Sequence, residues 1–302
     1  MNNILLIFLY LAVGLILQRV KGFPVTKVYK KLNKIVIYIC LPALALYYIP
    51  KIHWDNKLLY PISVAWIAFA GSFLLFRLLG KKYGWSKKLT GCLIITAGLG
   101  NTSFLGYPII QALYGDEGMK TAILVDQPGS FVVLSTLGIL VATLYSKGDQ
   151  SGGQIAKKIL LFPPFLTFAL ACIMNVADYD FVLIFQEGLQ FLGSGVTPLA
   201  LISVGLQLRF ETRSQHWKFL GLGLLYKLIL TPAIIYIIYV LILNQKSQII
   251  EVAILEAAMA PMITACILAS DHSLKPRLSS MMIGFGIPAS FITLIFWYVI
   301  VH

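Results

Sequence analysis

Apolar residues in this chain come in long blocks, separated by short polar stretches, and not in the alternation of a half-buried strand. Blocks of roughly 18 to 28 residues can cross a ~30 Å hydrocarbon core with some tilt. They lie near 2–19, 33–50, 58–79, 89–114, 119–145, 158–177, 181–208, 216–243, 248–270 and 276–301. The pattern predicts an all-α integral membrane protein of ten transmembrane helices. In the first block Arg19 and Lys21 follow the apolar run and no small-x-small cleavage site is evident, so it reads as a retained helix and not a signal peptide.

Composition agrees. The 302 residues are 59% hydrophobic and 12% charged, too few polar groups to cover a water-soluble globule. A net charge of +12 would suggest a nucleic-acid partner in a soluble domain, but here the basic residues sit between the apolar blocks. Alternate stretches (19–34, 77–88, 147–158, 209–218 and 275–277) hold 19 Lys and Arg, and the others hold only Lys51, Lys57, Lys120 and Lys246. The positive-inside rule then predicts a multi-pass cell-membrane protein with both termini outside, membrane lipid as a partner and no nucleic acid.

Cys40, Cys92, Cys172 and Cys266 lie inside apolar blocks without CxxC spacing and read as small buried hydrophobes. The four His lie at helix ends or loops, and no HExxH, Walker loop or GxSxG occurs. No metal site, catalytic residue or enzymatic activity is expected, and no cofactor beyond a coupling ion, H+ or Na+.

A polar linker over 146–157 divides the chain nearly in half, and the halves resemble one another at an offset of about 155 residues. Cys40-Leu41-Pro42 answers Val196-Thr197-Pro198, Gly106-Tyr107-Pro108 answers Met259-Ala260-Pro261, and Asp116 and Lys120 answer Asp271 and Lys275. Five helices per half is odd, which places 151–302 upside down relative to 1–150, the inverted repeat of many secondary transporters. Tyr47-Tyr48 and Trp297-Tyr298 read as interfacial aromatic belt.

Two blocks carry helix breakers at corresponding places. The run from Gly98 to Pro108 holds three glycines and a proline, and Glu256-Ala257-Ala258-Met259-Ala260-Pro261 repeats the fault. An unwound backbone inside lipid is tolerated only when buried in protein or lining a wet cavity, and a paired break points to a transporter binding site. At a rise of 1.5 Å per residue, Asn101, Glu256, Asp126 and Lys227 fall roughly 18, 12, 10 and 16 Å from the nearer ends of their spans. Groups at such depth are functional by default. Asn101 and Asp126 are candidate site residues, and Gln127 could supply an amide to the same cavity. Asp126 and Glu256 are candidate coupling carboxyls, and Lys227 either joins them or forms a structural ion pair with Glu256.

The segment Gly100-Asn101-Thr102-Ser103-Phe104-Leu105-Gly106-Tyr107-Pro108 resembles the GNTGF-x-G-x-P motif of the auxin efflux carrier family in its short bacterial form. Glu256 to Pro261 resembles the family's second crossover, and Pro198 to Leu208 its seventh-helix segment. The resemblance spans the chain and implies a bundle like that of the bile-acid/sodium symporters. It also implies organic-anion substrates such as malate, malonate or auxin. Carried over by position, Asn101, Thr102 and Pro108 mark one crossover, and Met259 and Pro261 the other. Met-Ala-Pro stands where Met-Pro is expected, which shifts the second break by a residue. The expected function is alternating-access transport of small organic anions. A sodium-coupled bile-acid-type symporter and a non-transporting membrane sensor are the alternatives, and a homodimer is an open assembly state.

Overall fold

Inside a bilayer every backbone N–H and C=O must find a partner within the protein, so apolar blocks of this length fold as helices. The computed structural model describes residues 2–53, 55–146, 163–208 and 215–302, and every named element among them is helical. In chain order these are α1 (Asn2–Arg19), α2 (Val25–Lys51), α3 (Asn56–Lys82), α4 (Lys87–Gly98), α5 (Thr102–Tyr145), α6 (Pro163–Val176), α7 (Leu183–Gln207), α8 (Trp217–Ile242), α9 (Gln248–Ala257), α10 (Ile263–Asp271) and α11 (Pro276–Val301). Six of them, α2, α3, α5, α7, α8 and α11, are long and apolar enough to cross a membrane. The polar linker at 146–157 falls almost wholly outside the described residues, as does most of the basic stretch 209–218.

One element boundary differs from the sequence reading. Helix α2 starts at Val25, not near 33. Lys27, Lys30, Lys31 and Lys34 made that stretch look like a loop, but their spacing puts them on one helical stripe. Their long stems can lie along apolar surface while the charges reach water. The gap expected near 115–118 is present as a break at Gly115, whose φ of 59° and ψ of −151° are not helical, so α5 is two helices joined at a kink.

Three prolines inside the long helices are prepared for. A proline ring meets the carbonyl four residues back and removes one ladder hydrogen bond. Widened π-turns cover that carbonyl before Pro42 (Val36–Cys40), Pro108 (Thr102–Gly106) and Pro232 (Tyr226–Leu230). For Pro232 the freed carbonyl is that of Leu228, and it accepts the Trp297 indole N–H at 3.0 Å. Trp297 is therefore buried and hydrogen-bonded within the protein, not part of an interfacial belt. Tyr48 is corrected in the same way: it is buried, and its hydroxyl donates to Asp116 at 2.7 Å.

The chain forms two compact units, each drawing segments from both halves of the sequence. The first comprises Met1–Asn56, Ser103–Ile123 and Lys157–Leu208. Here α1 and α7 touch backbone to backbone, and a Cβ added to Gly205 would stand 2.9 Å from the Gly14 Cα. Past that contact the Gln18 amide donates to the carbonyls of Leu206 (2.9 Å) and Leu208 (3.0 Å), satisfying acceptors at the α7 C-terminus. Asn175 does the same for α2, donating to Ile49, Pro50 and Ile52 at 2.9, 3.0 and 2.7 Å.

The second unit comprises Lys57–Thr102, Leu124–Ala156 and Arg209–His302. Its core packs Phe76, Leu93, Ile94, Ile95, Met281 and Met282 from α3, α4 and α11. Tyr226 donates to the Ala68 carbonyl at 2.7 Å and sets its ring edge-on to Phe76. All four cysteines are free; Cys40, Cys92 and Cys266 are buried and Cys172 half-buried.

Candidate transport site

Both predicted breaks are present, and the second unit brings them together. Helix α4 stops at Gly98, where Leu99 turns extended (φ −122°, ψ 132°). Helix α9 stops at Ala257, and Met262 is extended (φ −68°, ψ 125°) before α10 begins. The two unwound stretches run antiparallel, with Gly100 opposite Pro261. The Asn101 N–H donates to the Ala260 carbonyl at 2.8 Å, and the Met262 N–H donates to the Leu99 carbonyl at 3.0 Å.

This register explains the residue types. The two bonds flank the Gly100–Pro261 pair, so Pro261 sits where an antiparallel ladder asks for no N–H and its missing donor costs nothing. The residue after the proline supplies the donor, which accommodates the Met-Ala-Pro departure from Met-Pro. The ring of Pro261 is admitted by Gly286 of α11, where an added Cβ would stand 2.7 Å from the Pro261 Cδ. Gly100 makes room for a different contact: an added Cβ would stand 3.1 Å from the Lys227 Nζ and 3.4 Å from the Glu256 backbone oxygen.

Around this crossing lie the ionisable residues singled out from the sequence. Lys227, on the π-turn of α8, is 1% exposed and donates to the Ala257 carbonyl at 2.5 Å. Glu256 is also 1% exposed. Neither of its carboxyl oxygens has a hydrogen-bond partner among the described residues. The ammonium is thus spent on a backbone carbonyl and not on a direct hydrogen bond to Glu256. Asp126, in α5, accepts from the Thr102 hydroxyl at 2.5 Å and from the Gln127 amide at 3.0 Å, and the Gln127 Oε1 has no partner among the described residues.

Asn101, Thr102, Asp126, Gln127, Lys227, Glu256, Met259 and Pro261 all belong to this unit and are all buried. Pro108 is buried in the first unit, inside α5, and the break lies at Leu99–Asn101. Sequence reasoning placed Leu99 and Ala260 in the breaks without giving them a role and did not name Met262; the backbones of all three form the crossing. The signal for Met262 was present: a proline in a strand-like break passes the donor role to a neighbour.

The first unit holds a separate cavity of about 170 Å³, and none of the residues singled out for the site lines it. Its walls include Tyr48, Tyr107, Gln111, Asp116 and Thr197, and Asp116 accepts from Tyr48 and, at 3.1 Å, from Gln111.

Six apolar helices long enough to cross a membrane, with the shorter α4 and α9 ending around buried charge, define a multi-pass integral membrane protein with a polar interior. A family model described as membrane transport protein matches residues 1–298, and the chain belongs to that family, the family of the auxin efflux carriers. The chain is similar to an uncharacterized transporter of Methanocaldococcus jannaschii, 28% identical over 308 residues that cover 98% of this chain and 97% of the relative. It is likewise similar to an uncharacterized transporter of Methanothermobacter thermautotrophicus, 29% identical over 276 residues, 89% of this chain and 88% of the relative.

Proposed function

We propose that this membrane transporter moves small organic anions, carboxylates such as malate, malonate or auxin-like acids, across the cytoplasmic membrane by alternating access. In this reading the helices make ten membrane passages in two inverted halves, with both termini outside. One broken passage is α4 with the start of α5, and the other is α9 with α10. The observation that carries the proposal is the paired break itself: Leu99–Asn101 against Ala260–Met262, with buried polar groups gathered around it.

The chemistry suits a carboxylate. The half-helices that leave the crossing, α5 from Thr102 and α10 from Ile263, begin there with N–H groups that carry partial positive charge. The main-chain N–H of Asn101 is committed to Ala260, and its side-chain amide is the proposed donor to substrate. Thr102 and Gln127 hold the Asp126 carboxylate. Glu256, buried with neither oxygen bonded, is the group proposed to exchange a coupling proton.

Counterflow in proteoliposomes tests the reading, with a panel of mono- and dicarboxylates and with and without sodium and proton gradients. Exchange of at least one carboxylate above protein-free liposomes is expected. No exchange of any of them by folded protein refutes the proposal.

A further inference from the structure

Wherever a helix stops inside a protein, its last carbonyls need donors and its C-terminus carries about half a negative charge. The crossing gathers two such ends, those of α4 and α9, and neither helix has a basic residue in its last turn. Together they amount to roughly one negative charge in a region without bulk water. Unwound carbonyls and half-helix C-termini of this kind coordinate Na+ or H+ in many carriers with discontinuous helices.

Here one group from a third helix bonds the end of α9 and lies beside the stretch that follows α4. The Lys227 ammonium donates to the Ala257 carbonyl, the last residue of α9, at 2.5 Å. It also lies against Gly100, two residues beyond the end of α4, so closely that a Cβ there would stand 3.1 Å from Nζ. The lysine reaches this point from a π-turn, and the Thr231 hydroxyl satisfies the Tyr226 carbonyl of that turn at 3.0 Å. The ammonium stands between the stretch after α4 and the end of α9, and it is enclosed by packing, since Lys227 is 1% exposed.

We propose that the Lys227 ammonium is the resident cation of the crossover, filling a monovalent-cation site formed by the carboxyl ends of α4 and α9 and so excluding sodium from it. The consequence for coupling rests on the transport reading above: the carrier draws on no sodium at this point, and Glu256 is left as the exchangeable group. The site itself does not depend on that reading.

The test is thermal unfolding of the purified protein in detergent at constant ionic strength, in sodium, potassium and choline chloride. Parent protein is expected to melt at the same temperature in all three. Lys227→Ala should melt lower by roughly 5 °C or more, and ammonium or methylammonium, small enough for the emptied site, should restore part of the loss where choline does not. Lys227→Gln, which keeps most of the reach without the charge, should show the loss without the restoration. Saturable stabilisation of the parent by sodium over choline overturns the proposal. So does a Lys227→Ala or Lys227→Gln protein that melts with the parent, or a loss in Lys227→Ala that no small cation reduces. If neither variant folds, the parent salt series decides alone. These are equilibrium properties, so failed counterflow would remove the proposed function and leave them standing. Flux driven by a sodium gradient would uphold transport and refute the exclusion.

Discussion

Replacing Met262 with proline tests the crossing through its backbone. Met262 already has φ of −68°, the value a proline ring imposes, and ψ of 125°, so the substitution fits the local conformation. It follows Pro261, which a next-residue proline would hold in the extended region. What it removes is the N–H that donates to the Leu99 carbonyl at 3.0 Å. Leu99 is fully buried, and leaving its carbonyl unsatisfied costs about 1–3 kcal/mol. Met262→Pro also loses side-chain contacts, since Met262 is buried, and Met262→Ala serves as the control that loses them while keeping the N–H. The difference between the two variants reports the lost hydrogen bond together with the push of the proline Cδ, which takes the place of the hydrogen, against the Leu99 carbonyl. It is expected to appear as a further fall in melting temperature of roughly 2–10 °C below Met262→Ala, read by tryptophan fluorescence in detergent. Counterflow should fall further in the proline variant than in the alanine variant at a temperature where both are folded. If Met262→Pro melts with Met262→Ala, the paired strands do not hold the crossing together and the account of both breaks fails.

Three further outcomes are expected. Asn101→Ala keeps the main-chain bond to Ala260 and should insert and fold, yet weaken carboxylate binding by about 1–3 kcal/mol, while Asn101→Asp should bind worse still because it sets a like charge beside the anion; equal affinities in parent and both variants, by scintillation proximity or calorimetry, would move the site elsewhere. Glu256→Gln keeps the shape and removes the titration, so carboxylate flux should persist with a flattened pH–rate profile, and an unchanged profile would relegate Glu256 to structure. For orientation, cysteines introduced at position 2 and, separately, at Lys30 should differ in intact cells: an impermeant maleimide labels the first and not the second, and labelling at Lys30 would reverse the proposed topology.

Much of this molecule is legible in one dimension because the bilayer makes local composition decisive. Block length and apolarity place the helices, since an unpaired backbone cannot remain in hydrocarbon. The breaks at Gly98–Asn101 and Ala257–Pro261 were legible for the same reason: glycine and proline act on their own backbone, whatever surrounds them. The start of α2 was missed because four lysines read as loop until their helical stripe is considered. Tyr48 and Trp297 were misassigned because a tyrosine or tryptophan near a helix end suits either a lipid interface or a buried carbonyl or carboxylate, and only the partner decides.

What the tertiary structure alone decided is which distant groups meet. Leu99 pairs with Met262 and Asn101 with Ala260 across more than half the chain, and no local propensity encodes that register. Lys227 and Glu256, opposite charges at similar depth, suggest an ion pair; folding instead turns the ammonium onto a helix end and leaves the carboxyl without a hydrogen-bond donor among the described residues. The physical reason is that a side chain's charge and reach are properties of its residue type. The carbonyl it satisfies is created only when two helices stop at the same place.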